Sequence, residues 1–259
     1  MTKSKISWTE RVWNPITGCS KISEGCANCY AERMTFRLAK MHSKKYKHGF
    51  EVTCHPEELD KPFKWKPSRI FVCSMSDWMH EYVDTEFAQK IFNVMTDCPK
   101  HLFMTLTKRP INLRLAWLQA LSQTDASFFS HVWFGVSIEN QIMANIRANK
   151  FLALRQTNNT FLSIEPMLTP IKLGRRESIA SWIILGCESG PKARPMQLRW
   201  AYDILDYCND NHIPLFIKQL TIKGKCSREP EEWPQELRVQ NYPPSITSFI
   251  KEKKHVKKD

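Results

Sequence analysis

Along the chain, short apolar runs alternate with stretches whose apolar residues recur every three or four positions. The runs lie at 69–73, 101–106, 131–136, 160–164, 182–185 and 214–217, and they are rich in β-branched and aromatic residues. Each ends in a polar cluster and leads into a helical pattern, so strand, polar turn and helix repeat. Strands that alternate with helices pair in parallel, because the helix carries the chain back across the sheet. Six or more such units predict an α/β fold, a single domain built as a partial or complete β/α barrel. An open doubly wound sheet has the same periodicity.

Earlier in the chain, Tyr30, Met34, Leu38 and Met41 recur at helical spacing and predict an amphipathic helix over 27–46 with that stripe in the core. Residues 47–68, with Pro56, Pro62 and Pro67, read as an irregular connection or lid. Polar clusters follow the strands rather than precede them, and parallel α/β folds bind ligands at the carboxyl ends of their strands. One active face is therefore expected. It would collect Ser74, Ser76 and Asp77; Thr107, Lys108 and Arg109; Ser137, Glu139 and Asn140; Glu165; Glu188 and Ser189; and Lys218 with Gln219.

With 259 residues, 42% of them hydrophobic, the chain can bury a full core. No run approaches the roughly eighteen apolar residues of a membrane span, and residues 1–5 lack the apolar run of a signal peptide, so a soluble cytoplasmic protein is expected. The formal charge of +12 and a pI near 9.3 favour a polyanionic partner. Residues 248–259 carry five lysines against Glu252 and Asp259, a net +3 read as a basic disordered tail, which leaves +9 on a domain over 1–247.

Three of the nine cysteines, Cys19, Cys26 and Cys29, fall within eleven positions at a C-x6-C-x2-C spacing, with Gly18 and Gly25 as turn residues. No fourth cysteine lies in the loop. Structural zinc takes four protein ligands, so a zinc knuckle would need completion by a distant His or Cys, such as His42, His55 or Cys54. A 4Fe-4S cluster held by three thiolates instead leaves one iron open. A disulfide suits an oxidising compartment, which nothing here predicts.

The N-P-x-x-G-C stretch ending at Cys19 and the C-x2-C-Y-A stretch from Cys26 resemble the spore photoproduct lyase branch of the radical S-adenosylmethionine (radical SAM) enzymes. That branch usually spaces its cysteines C-x3-C-x2-C, so Cys19 stands three residues further out. A second resemblance carries more residues, to a phage and bacterial three-cysteine-motif family without an agreed reaction. Its elements appear as Trp8-Thr9, W-N-P-x-T-G-C at 13–19, C-x-N-C-Y-A-E-R at 26–33, S-M-S-D at 74–77, L-T-K-R-P at 106–110, G-V-S-x-E-N at 135–140, Glu165-Pro166 and E-S-G-P-x-A-R-P-M at 188–196.

These resemblances imply a radical SAM-type barrel. Cys19, Cys26 and Cys29 would hold a 4Fe-4S cluster, and Ser74, Ser76 and Asp77 would engage the methionine end of S-adenosylmethionine. Ser137, Glu139, Asn140 and Glu165 suit ribose hydroxyls. Cys187 and Glu188 are the candidate catalytic pair, a strand-end thiol being suited to donating hydrogen to a product radical. Lys108, Arg109 and Arg194, expected near one face with Trp78, Trp133 and Trp200 close by, suit phosphate and base contacts. The implied activity is reductive cleavage of S-adenosylmethionine to a 5'-deoxyadenosyl radical acting on nucleic acid or a nucleotide, with a flavodoxin or ferredoxin as reducing partner. Two other readings stand beside it: a non-enzymatic zinc module that binds nucleic acid, and a barrel hydrolase using Glu139, Glu165 and Glu188.

Overall fold

The computed structural model describes residues 6–121, 126–151, 159–174 and 180–255. The chain enters through β1 (Arg11–Trp13) and a small antiparallel pair, β2 (Ile16–Thr17) with β3 (Thr53–Cys54); the cysteine loop and α1 (Tyr30–Lys40) lie between the two partners. Then follow β4 (Arg69–Val72), α2 (Thr85–Asp97), β5 (Leu102–Thr107), α3 (Pro110–Leu121), β6 (Val132–Ile138), α4 (Gln141–Phe151), β7 (Thr160–Ile164), β8 (Trp182–Gly186), α5 (Leu198–Asp210), β9 (Leu215–Ile222), β10 (Lys225–Ser227) and α6 (Pro244–His255). One sheet takes the order β1-β4-β5-β6-β7-β8-β9-β10. Every pairing from β1 to β9 is parallel, and β10 closes the edge antiparallel to β9. Of the two sheets the periodicity allowed, the curled half-barrel is the one formed, within a single domain.

Alternation along each strand divides the core. On one face, Phe103, Phe134, Ile183 and Leu185 join Phe87, Ile91, Leu113, Ala144, Ala201 and Ile204 from the helices. On the other face, Phe71, Met104, Trp133, Phe161, Trp182 and Phe216 pack with Trp8 from the amino-terminal segment and Ile246 from α6. The rings of this second layer interlock, Trp8 with Phe71 at 4.8 Å, Trp133 with Trp182 at 6.0 Å and Trp182 with Phe216 at 6.1 Å between centroids. Gly135 makes room for it: a Cβ there would lie 2.2 Å from the Phe161 ring.

This inner face is stratified. Its positions run Leu102, Met104, Leu106, Lys108 along β5 and its end, then Trp133, Gly135, Ser137 on β6, Phe161, Ser163, Glu165 on β7, Trp182, Ile184, Gly186 on β8 and Phe216, Lys218 on β9. Aromatic residues fill the amino-terminal end of the half-barrel, and ionisable side chains stand at the carboxyl end.

Three expectations are corrected. The helix α1 is shorter than 27–46 and buries Ala31 and Thr35, while Tyr30, Met34 and Met41 stay exposed, so of the apparent apolar stripe only Leu38 packs. The packed side is the one that meets Tyr46 and Met75, and it is lined by Ala31, Ala39 and Leu38. The supposed disordered tail from 248 is helical to His255. Phe249 and Ile250 pack against the inner aromatic layer and Lys253 Nζ binds Glu10 Oε1 at 2.7 Å, so these three residues, at i, i+1 and i+4, form the packed side of the helix; residues 256–259 lie outside the described residues. The stretch 47–68 contains β3 and two single turns of 3-10 helix, Pro56–Glu58 and Pro62–Lys64. Among the described residues no helix is long and apolar enough to cross a membrane.

Candidate functional site

The cysteine loop lies across the carboxyl ends of the strands. Gly18 begins it at φ +80°, where a Cβ would sit 2.0 Å from Glu51 O, and Cys19 N donates to Phe50 O at 3.1 Å. A single 3-10 turn over Glu24–Cys26 brings up the second thiol, and Cys29 is the residue that starts α1. All three thiols are half-buried, and none is in a disulfide.

Successive strand ends tie this loop down. After β4, Ser76 Oγ donates to Gly18 O at 2.6 Å, and Ser74 Oγ to Asn14 Oδ1 at 3.2 Å. Asp77 is buried, and its carboxylate accepts from Met79 N, Thr107 Oγ1, Lys108 N and Arg109 Nη1 at 2.6–3.1 Å. Arg109, also buried, reaches the Cys19 sulfur through Nη1 at 3.7 Å and Ser20 Oγ through Nη2 at 2.9 Å. His80 Nδ1 accepts from Tyr82 N, so Nε2 carries the proton and donates to Ser20 Oγ at 2.8 Å.

Further round, Asn140 caps α4 by accepting from Met143 N and also donates to Glu24 Oε2 at 3.2 Å. Glu139 is fully buried. Its Oε2 pairs with Arg147 at 2.7 Å, its Oε1 has no hydrogen-bond partner among the described residues, and its side chain lies against Gly25, where a Cβ would be 3.0 Å from Cδ. After β8, Glu188 accepts from Asn28 Nδ2 at 2.9 Å and from Arg194 Nη2 and Nε at 2.5 and 2.9 Å, while Arg194 Nη2 also donates to Glu24 O. Arg33 on α1 donates to Ser189 O at 3.1 Å. Glu188 thus clamps the loop between two of its cysteines.

Inside the ring formed by these ties runs a polar line. Lys108 Nζ donates to Ser137 Oγ at 3.1 Å, Ser137 Oγ to Glu165 O at 3.2 Å, and Lys218 Nζ to Glu165 Oε1 at 2.5 Å. Tyr30 OH donates to Ser74 O. On the other side of Cys19, a pocket of about 600 Å³ is lined by Ser20, His80 and the rings of Phe36, Phe50 and Tyr82.

Burial pushes the Cys19 thiol up to about 11; Asp77 adds to this and the Arg109 guanidinium opposes it. Burial also works against ionisation of Glu188, but the hydrogen bonds from Arg194 and Asn28 outweigh it and hold the carboxyl below its ordinary value. Among the described residues, no three His, Cys, Asp or Glu side chains are grouped to hold one metal ion. A 4Fe-4S cluster would take each thiolate on a different iron, and three half-buried thiols of one loop, none in a disulfide, are the donor set it would use. Cys19 meets a guanidinium, Cys26 meets Ser23 Oγ at 3.8 Å, and Cys29 stands at the N-terminus of α1. His55, one of the three residues expected to complete a zinc site, is engaged by Thr17 and Glu57.

Several expected roles change with this placement. Ser74, Ser76, Asp77 and Asn140 hold the protein's own loop and caps rather than facing open space. Arg109 is enclosed by Asp77, Glu81 and Cys19 and is not presented to a phosphate; Arg194 is committed to Glu188. Cys187 is fully buried on the helix-facing side of the sheet, opposite to Gly186 and Glu188, and its thiol is raised by contact with Cys226 and by burial, so it is a core residue. Asn28, His80, Ser20, Arg33 and Arg147 were not singled out from sequence. Asn28 and Arg33 carried a signal, as fixed positions of the C-x-N-C-Y-A-E-R element.

No curated protein matches the sequence. Solved structures of spore photoproduct lyase do share the fold. One mutant superposes with a TM-score of 0.53 at 10% identity, covering 85% of this chain and 79% of that one. A mutant with bound AdoMet and dinucleoside spore photoproduct gives 0.47 at 9% identity, covering 97% and 62%. A third gives 0.46 at 13% identity, and there the chain spans 57% of the matched structure. The likeness is one of fold, carried by the first of these, and is the partial barrel of the radical SAM type. A family model described as "Protein of unknown function (DUF5131)" matches residues 3–252, and the chain belongs to that family.

Proposed function

We propose that this chain is an iron-sulfur enzyme of the radical SAM type, with Cys19, Cys26 and Cys29 as cluster ligands and nucleic acid or a nucleotide as substrate. The observation that carries the reading is the cysteine loop itself, held by side chains from the ends of four strands, β4, β5, β6 and β8, over the polar mouth of a half-barrel. When bound, the cluster and S-adenosylmethionine would supply the radical chemistry, cleaving the cofactor reductively to a 5'-deoxyadenosyl radical.

The chain's own residues bind and orient. Glu139 Oε1 is a buried acceptor without a donor beneath the loop, the kind of group a ribose hydroxyl satisfies. Lys108 and Lys218 bracket Ser137 and Glu165 and offer cations to a carboxylate, while Glu165 offers an acceptor to an amine or a diol. The aromatic layer below them keeps water from the lower interior. Beside Cys19, the Phe36, Phe50 and Tyr82 rings suit stacking of a base, and the +9 of the body suits phosphate. The same charge suits an acidic reducing partner such as a flavodoxin or ferredoxin.

Anaerobic reconstitution tests the reading. About four irons per chain, lost in the Cys19, Cys26 and Cys29 triple Cys→Ala variant, and 5'-deoxyadenosine formed with S-adenosylmethionine and dithionite are expected. Tight stoichiometric zinc in anaerobically purified protein, with no iron taken up, would replace it with the zinc-module reading.

A further inference from the structure

Arg109 holds a position unlike that of any other cation near the loop. All five of its guanidinium N–H groups are directed: Nε to Glu81 Oε2 at 2.5 Å, Nη1 to Asp77 Oδ2 at 3.1 Å and Cys19 Sγ at 3.7 Å, and Nη2 to Ser20 Oγ at 2.9 Å and Ser20 O at 3.5 Å. Its backbone is fixed as well. Arg109 N donates to Thr107 Oγ1 at 2.8 Å, and that hydroxyl donates to the other oxygen of Asp77 at 2.6 Å. Among the described residues, Cys19 is the loop thiol that a guanidinium reaches.

We propose that Arg109 sets the reduction potential of the cluster held at Cys19, donating to the thiolate sulfur from a guanidinium locked by Asp77 and Glu81. The inference rests on the reading of the three cysteines as cluster ligands. One-electron reduction adds a negative charge to the cluster, and no bond or proton need move with it. A cation and an N–H bond at a ligand sulfur stabilise the reduced form more than the oxidised one and raise the potential. Asp77 and Glu81 pull the other way. The site therefore balances one cation against two carboxylates beside a single sulfur, at half-buried depth where screening by water is weak.

This balance predicts shifts of opposite sign. In anaerobically reconstituted protein titrated with dithionite and followed by electron paramagnetic resonance, Arg109→Gln should move the midpoint to a more negative potential. Asp77→Asn should move it to a less negative one, and Arg109→Lys, which keeps the charge and loses the fork, should fall between wild type and Arg109→Gln. A purely structural clamp would lower iron occupancy in both variants and leave the midpoint of the loaded fraction where it was.

A second measurement needs no variant. Wild-type protein grown with arginine labelled with 15N in its guanidinium should show a 15N hyperfine coupling to the reduced cluster. An unmoved midpoint in iron-loaded Arg109→Gln, or a labelled wild-type protein without that coupling, would overturn the proposal while leaving the cluster reading intact. Absence of iron from wild-type protein would instead overturn the cluster reading.

Discussion

Glu188 shows how a single residue serves the loop. Its carboxylate accepts from Asn28, from Arg194 N and from the Arg194 guanidinium, so Glu188→Ala leaves two partners short of acceptors in a largely buried setting. A loss of about 1–3 kcal/mol is expected, read as a lower urea midpoint, together with poorer retention of iron. Glu188→Gln keeps one acceptor and should lose less. Asn28→Ala should reproduce the iron defect with a smaller change in stability, and iron retained in full in both Glu188→Ala and Asn28→Ala would remove the clamp from the account. The sequence marked Glu188 as polar and strand-terminal, but the same description fits a catalytic acid. What separates the two is Asn28, 160 positions away, and no local pattern expresses that contact.

At the scale of elements, Gly135 lets β6 and β7 lie together under Phe161. Gly135→Ala is expected to cost about 1–3 kcal/mol through overpacking, and Phe161→Leu in the same chain should recover part of it. If the double variant is simply the sum of two losses by chemical denaturation, the contact is not the cause. The six internal strands were legible because each is a run of branched and aromatic residues long enough to show itself. The short pieces β1, β2, β3 and β10 were not, since two or three residues hold no period. In α1 the period was visible and misled in part: Met34 and Met41 are exposed and the Tyr30 ring is half-exposed with its hydroxyl on Ser74 O, while the packed face is made by Ala31, Thr35 and Leu38, of which the pattern marked only Leu38. The polar strand ends were legible as a group from their recurrence. Their division into loop ties and open groups was not, because it depends on which partner each side chain meets across the mouth. Deleting residues 248–259 removes Phe249, Ile250 and the Lys253 ion pair with Glu10, so it should lower stability measurably, where loss of a free tail would leave it unchanged.

For the whole molecule, protons act on many sites together. Burial holds His55, His80, His101 and His131 below the ordinary 6.5. Against the effect of their own burial, lysine and arginine partners hold Glu10, Glu58 and Glu188 below 4.5. On acidification the unfolded chain therefore takes up protons before the folded one in both groups. Stability should be complete above about pH 7, begin to fall near pH 6.5 as the histidines charge in the unfolded state, and fall again below about pH 4.5. Urea midpoints that stay level down to pH 5 would show that the buried histidines do not contribute. The basic body makes a separate prediction: binding of a single-stranded oligonucleotide should weaken with salt, by about 0.7 in log-log slope per neutralised phosphate. Phe36→Ala with Tyr82→Ala should weaken it without changing that slope; a slope that falls instead would mean the rings do not stack on bases. One further consequence follows from the aromatic floor that Trp8, Trp182 and Ile246 make beneath the strand ends. A half-barrel stopped at its amino-terminal end cannot be entered from below, so anything that reaches Lys108, Ser137 and Glu165 must come from the strand-end side or across the open edge between β1 and β10.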